Sequence, residues 1–292
     1  MRSVLVVVLC TLAVGCGQKA DQREYSLQGQ IMSVAPDHKQ ATINHQEIKG
    51  FMAAMTMPYK VRDSKQLEGI AAGDLVKAKL IVASNDAYLV DLQKVGQAPL
   101  PQLPAETSAA AASSGFELLK PGEVVPDSKF VDQDGKKRTF RSFRGSTVLL
   151  TFIYTRCPLP TFCPLMDQHF ATIQKRMQED AALKKQVHLV TVSFDPLTDT
   201  PPVLKAHAQK LAADLKSWTF LTGDRDDIDQ FAARFGVSIA RAIADQRDIT
   251  HNLRTAIVDA DGKLVKMYIG NEWTPNQVLA DLGPLVQAKT KG

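Results

Sequence analysis

Past its first sixteen residues the chain has only two cysteines, Cys157 and Cys163; the other two of its four are Cys10 and Cys16. Charge is not concentrated either. No Lys/Arg block stands out, and a formal net charge of +4 is small for 292 residues, which argues against a nucleic-acid partner. After the N-terminal leader no hydrophobic run reaches the ~20 residues that cross a bilayer, and no internal repeat relates the two halves. What is present is a hydrophobic content of 45%, suited to packed cores, on a length that favours two domains.

The leader reads "MRSVLVVVLCTLAVGCGQ". One Arg precedes roughly a dozen apolar residues, within the ~7–15 of a signal-peptide core. The run ends in Ala13-Val14-Gly15-Cys16, which resembles a bacterial lipoprotein box with its usual Leu one place early, at Leu12. The resemblance implies that residues 1–15 are removed, Cys10 with them, and that Cys16 carries a diacylglycerol: a membrane anchor outside the cytoplasm and not a span. An ordinary signal peptide cut near Gly15 is the alternative. In that compartment the remaining thiol pair oxidises unless it is kept reduced or metallated.

A Pro-, Ala- and Ser-rich stretch at 96–115 has neither helical nor strand periodicity and reads as a linker. It separates a segment at 24–95 from one at 116–289. The first is expected to be all-β: "YSLQGQIMSV", "QATINHQEI", "LVKAKLIVAS" and "AYLVDLQKV" are short strand-like runs between turn signals, suggesting a small OB-like barrel. In the second, "STVLLTFIY" and "QVHLVTVSFD" read as buried strands and "SWTFLTGD" as another. Met166, Phe170, Ile173 and Met177 recur at helical spacing; "PPVLKAHAQKLAADL", "RDDIDQFAARFGV" and "TPNQVLADLGPLVQAKT" read as helices. "LRTAIVDADGKLVKMYIG" reads as a hairpin turning at Asp259-Ala260-Asp261-Gly262. This order is that of an α/β thioredoxin-like domain, in which a strand ends in a cysteine pair at the start of the first helix.

The pair sits in "YTRCPLPTFCPLM", residues 154–166. Cys157 ends the strand, and Pro158 and Pro160 forbid a regular helix between the sulfurs. Pro164 suits a first helical position, which places Cys163 at the N-cap, where the helix N-terminus favours thiolate. Such a pair can close as a disulfide or chelate one ion. The spacing by itself leaves open a redox or metal function, a structural disulfide, and unpaired thiols.

Three ordered motifs narrow this. "TFIYTRCPLPTFCP", the element Asp195, Pro196, Asp199, Thr200, Pro201 in "VSFDPLTDTP", and "DITHNLRTAIVDADGK" together resemble the Sco family of copper-binding thioredoxin-fold proteins, over roughly residues 117–288. The resemblance implies a copper site of Cys157, Cys163 and His251, and service in assembling the CuA centre of cytochrome c oxidase. A lone His before a strand is otherwise a surface or capping residue. The usual motif has three residues between the cysteines and this chain has five, which alters the loop. Two thiolates and an imidazole suit Cu(I), or Cu(II) with a further ligand. Asp195 reads as a strand-end group beside the cleft; Asp199 and Thr200 read as caps of the helix beginning at Pro201.

The N-terminal segment carries "NHQEIKGFMAAMTMPYK", with His45, Met52, Met55 and Met57 inside thirteen residues. Met55 and Met57 alternate with Thr56, so both thioethers share one strand face. Methionines grouped this way commonly fill a small core, but a His on the preceding strand and a copper-type thiol pair in the same chain favour a metal site. A thioether is a soft, neutral ligand that prefers Cu(I) over Zn. Over about residues 25–95 the segment resembles the CusF-like periplasmic copper-binding domain. That resemblance implies His45, Met55 and Met57 as ligands of Cu(I) or Ag(I). Met52 replaces the family's aromatic cap as a possible third thioether, with Phe51 beside it pointing elsewhere.

The combined expectation is a lipid-anchored extracytoplasmic copper protein that captures Cu(I) in the barrel and delivers it from the thiol domain, to the apo-CuA subunit of an oxidase or another copper-accepting protein. Two alternatives are a thiol–disulfide oxidoreductase, with Cys157 and Cys163 as its redox pair keeping client cysteines reduced, and a copper-sequestering resistance protein. No peroxiredoxin-like T-x-x-C element is present.

Overall fold

The computed structural model describes residues 22–52, 54–84, 86–100, 117–241 and 249–287. The leader with Cys10 and Cys16, and most of the Pro/Ala/Ser-rich stretch, lie outside the described residues.

Five strands close into a barrel: β1 (Arg23–Val34), β2 (Gln40–His45), β3 (Met55–Val61), β4 (Asp74–Val82) and β5 (Ala87–Gln97), in the order β1-β2-β3-β5-β4. Alternation builds it. Ala41, Ile43 and His45 on β2, and Met57, Tyr59 and Val61 on β3, are buried while the residues between them are not. Leu27, Ile31, Leu80 and Leu89 complete the core. A 3-10 turn, Ser64–Leu67, is capped by the Asp63 carboxylate and buries Leu67 completely. The seam is narrow: β3 and β5 run parallel and pair only through Lys60–Tyr88 and Val61–Leu89. Closure removes the free edges a five-stranded sheet would otherwise expose.

The second domain holds β6 (Lys129–Asp132), β7 (Lys137–Thr139), β8 (Thr147–Ile153), α1 (Cys163–Glu179), α2 (Ala181–Gln186), β9 (Val187–Ser193), α3 (Pro201–Lys210), β10 (Trp218–Thr222), α4 (Arg225–Arg234), β11 (Ile239–Arg241), β12 (Ile249–His251), β13 (Arg254–Val258), β14 (Leu264–Ile269) and α5 (Pro275–Gln287). Its main sheet has the order β14-β13-β8-β9-β10-β6-β7, while β11 and β12 pair separately. The central strands β8, β9 and β10 are parallel. All seven residues of β8 and all five of β10 are buried, as a sheet covered on both faces requires. Trp218 stacks on Phe220 at 4.9 Å and donates its indole N–H to Thr191 Oγ1 at 2.9 Å. Trp273, also buried, meets the His169 ring edge-on at 4.6 Å.

The hairpin turns where expected. Asp259 N–H donates to Lys263 O at 2.8 Å, and Gly262 takes φ 80°, a conformation that costs a side chain about 1 kcal/mol or more. Other elements depart from the sequence reading. Helix α3 stops at Lys210, well short of Leu215, and Ala212 follows at φ 51°. The strands β6, β7, β11 and β12 carry no hydrophobic alternation strong enough to announce them; β7 is exposed at every residue.

Candidate metal centres

In the barrel, His45 ends β2 and Met55 begins β3, directly across the ladder from it. Opposed residues on neighbouring strands hold their Cβ atoms about 5 Å apart. Met57 follows two residues along on the same face, opposite Ile43. Met52 lies in the β2–β3 connection, bridged to Ile48 and only 9% exposed. Tyr59 brackets the group: its hydroxyl donates to Met52 Sδ at 3.7 Å, and its ring meets His45 edge-on at 5.6 Å. Phe51 turns away and stacks on Tyr25 at 4.4 Å.

The His45 ring is oriented by its own backbone. Its Nδ1 lies 2.7 Å from Gln46 O, and a carbonyl only accepts, so the proton is on Nδ1 and the lone pair on Nε2. That Nε2 is buried and has no hydrogen-bond partner. Burial holds the imidazole pKa below its usual value, against the pull of the Gln46 carbonyl. Thioethers have no proton to donate, so the neighbouring methionines leave that lone pair available to a Lewis acid. A soft monovalent ion fits one imidazole and two or three thioethers. One contributor was not legible in the sequence: Gly29, which pairs with His45. A Cβ there would stand 2.6 Å from Asn44 O and 2.8 Å from His45 Cα, so only glycine lets β1 lie this close behind the histidine.

In the α/β domain both cysteines are free thiols. Cys163 does not cap α1; it is the first residue of the helix, Phe162 holds the cap position, and Pro164 follows inside the first turn. Nor does Cys163 carry the thiolate. It is 1% exposed, and burial pushes its thiol well above the usual range, outweighing the helix terminus. Cys157 does not end the strand; it lies half-buried in the loop past the end of β8 at Ile153, and its thiol is held well below the usual range, first by a hydrogen bond from Cys163. The expected polarity of the pair is thus reversed, because the cost of charging a fully desolvated sulfur exceeds what a helix N-terminus returns.

His251 is the last residue of β12, held in register by Ile239. Like His45, it places Nδ1 against the next residue's carbonyl, Asn252 O at 2.9 Å, and so frees Nε2, here 3.8 Å from Cys163 Sγ. Phe194 at 4.5 Å and Tyr154 at 5.5 Å flank the ring. Among the described residues no three His, Cys, Asp or Glu side chains stand in a preformed metal cage. Cys163 and His251 are at chelating separation with Cys157 beside them, so a metal would draw the third ligand in.

The aspartates act on the backbone of this site. The Asp199 carboxylate accepts from Thr155 N–H at 3.0 Å, from the Thr155 hydroxyl, and from Ser193 Oγ. It therefore ties the end of β8 to the end of β9, which corrects its reading as a helix cap. Thr200 occupies the N-cap of α3 but makes no side-chain capping bond. Buried Asp195 accepts from Arg156 Nε at 3.1 Å and Nη2 at 2.7 Å, clamping the residue before Cys157.

Residues 117–287, more than half of the chain, match the SCO1/SenC family model. The chain belongs to the SCO1/SenC family. Residues 24–94 of this SCO1/SenC protein also match the model of the copper binding periplasmic protein CusF. The SCO1 protein homolog of Bacillus subtilis (strain 168) is 32% identical over 162 residues, 55% of this chain and 81% of the relative. A SCO1/SenC family lipoprotein from Bacillus anthracis str. Ames superposes with a TM-score of 0.50 at 30% identity, covering 58% of this chain and 99% of that one. BsSco, described as carrying a disulfide switch and as a member of the Sco family of cytochrome c oxidase assembly proteins, is 29% identical with a TM-score of 0.49, covering 58% and 98%. These matches belong to the α/β domain, whereas the CusF match makes copper the metal of the barrel's family. Among the described residues no helix is long and apolar enough to cross a membrane.

Proposed function

We propose that this SCO1/SenC protein is a two-site extracytoplasmic copper protein. The barrel captures Cu(I) through His45, Met55 and Met57, with Met52 as a further thioether, and the α/β domain holds and delivers copper through Cys157, Cys163 and His251. The observation that carries the reading is shared by both sites: a histidine whose Nδ1–H is tied to the next carbonyl and whose Nε2 is left as a free lone pair, buried and unpartnered at His45 and 3.8 Å from Cys163 Sγ at His251. Family membership supports an oxidase CuA site as the recipient. The leader supports a lipid anchor at Cys16, and the Pro/Ala/Ser-rich stretch between the two family matches supports the domain division at 24–95, 96–115 and 116–289.

Titration of the reduced chain with Cu(I) against a competing chelator tests it. Two separable equivalents are expected, one lost in Cys157→Ser and the other in Met55→Leu. A single equivalent unaffected by either change would overturn the assignment.

A thiol–disulfide reductase is the second reading. It is favoured by the polarity of the pair, with a stabilised thiolate at Cys157 beside a protonated Cys163, the asymmetry that attack and resolution require. Reduction of a CuA apoprotein disulfide by the copper-free chain, at the same rate with His45 and the barrel methionines replaced, would place this reading first.

A further inference from the structure

The loop between the cysteines ties the two domains together. Its sequence is Pro158-Leu159-Pro160-Thr161-Phe162. Proline at 158 and 160 fixes φ at those positions and drives Cys157 and Leu159, which precede them, to extended backbone. The loop base is held to its own domain: Asn271 Nδ2 donates to Thr161 O at 2.7 Å, and Phe162 N–H donates to Leu159 O at 3.1 Å. The tip is not. Leu159 is only 4% exposed, yet it is absent from the buried cluster of the α/β domain and belongs to the cluster of the barrel. That cluster includes Met52 and Met57, with Met55 packed against it. Cys157 and Phe162 are in contact with both clusters. No residue from 157 to 163 is exposed.

A second feature of the interface is electrostatic. One cleft is lined by Lys39, Lys60 and Arg62 with Asp37 from the barrel, and by Glu272 from the α/β domain, next to the Asn271 that anchors the loop.

We propose that Leu159 is a docking spike that seats the dithiol site on the thioether site, and that Cu(I) passes directly from the barrel to the cysteines within this docked form. The inference rests on the two-site copper reading and adds a route and a direction to it. The step is ligand exchange without redox change. Cu(I) leaves neutral thioether and imidazole donors, whichever ligating sulfur is still protonated releases its proton to solvent, and the metal gains anionic thiolate donors, which bind it more strongly. The two residues by which this loop exceeds the three-residue Sco spacing supply the reach. The linker already makes the encounter intramolecular, and docking replaces the search of a tethered domain by a standing contact.

The test uses the full reduced chain in detergent, with Leu159→Ser and the conservative Leu159→Ile beside it. Deuterium exchange of the copper-free protein reads docking. Leu159→Ser should raise uptake at residues 157–163 and at 50–57 together while β8, β9 and β10 stay protected, and Leu159→Ile should not. Stopped-flow mixing with one equivalent of chelator-buffered Cu(I), followed by thiolate–Cu(I) absorbance, reads transfer. Leu159→Ser should slow loading of the cysteines at least several-fold even with the linker intact, as should Met55→Leu with Met57→Leu. Unchanged uptake on both segments would overturn docking, and loading of Leu159→Ser at the parent rate would overturn direct transfer. Failure of Cu(I) to bind either site, with the exchange pattern as expected, would overturn the copper reading while leaving docking in place.

Discussion

At the scale of single residues, both candidate centres use one device, a histidine aimed by the carbonyl that follows it. Met55→Leu or Met57→Leu keeps shape and apolarity and removes only the sulfur. Either change is expected to weaken Cu(I) binding by the barrel at unchanged urea stability, measured by chelator competition and by denaturation. His251→Ala should weaken copper binding at the thiol site while leaving disulfide formation intact, since only the imidazole is lost; Cys163→Ser should abolish both. The reversed polarity of the pair has its own consequence. Cys157 should be alkylated first, and its rate should persist to lower pH than that of a free thiol, falling only as pH drops through its depressed pKa. Mass mapping of a partial iodoacetamide reaction reads this directly, and preferential labelling of Cys163 would contradict it. The identity of these residues was legible in the sequence because soft-metal chemistry restricts the choice to Cys, Met and His. Their polarity was not, since burial depends on what packs around a sulfur and not on its distance from a proline.

At the scale of elements, the parallel strands β8, β9 and β10 and the strands of the barrel announced themselves through apolar runs and alternation. The short pairs β6–β7 and β11–β12 did not. Three or four residues with exposed or mixed faces take their register from tertiary contacts, as the pairing of Ile239 with His251 illustrates. Asp199 shows the same limit. Next to Thr200 and Pro201 it reads as a helix start, yet its buried carboxylate serves three donors on the turn and strand beside it. Asp199→Ala would leave those donors unpaired in the interior and is expected to cost about 3 kcal/mol in urea unfolding. It should also lower copper affinity, because Thr155 fixes the path of the chain into Cys157. Loss of stability with unchanged affinity would confine the network to a structural role.

At the scale of the whole molecule, three histidines, His45 buried and His169 and His188 half-buried, make the fold acid-sensitive. His188, hydrogen-bonded to Thr219 Oγ1 at 2.8 Å, is lowered from 6.5 to about 4, mainly by burial and then by Arg138. His45 and His169 are lowered by burial as well. A depressed histidine takes up its proton in the unfolded chain first. The stability it contributes is therefore complete above pH 6.5 and is lost as pH falls from there through 4, roughly 3 kcal/mol in the limit for His188. The urea midpoint of the copper-free protein should drop between pH 7 and pH 5, and a flat profile would contradict this. Cys16→Ser should release the protein from washed membranes if the leader is read correctly. The placement of the aromatic residues makes such measurements separable. The chain's two tryptophans, Trp218 and Trp273, are both buried in the α/β domain, and the barrel has none. Selectively excited indole emission therefore reports one domain alone, and the difference between that signal and a backbone signal such as circular dichroism isolates the barrel. The wild-type molecule carries its own two-channel optical readout, with no dye attached.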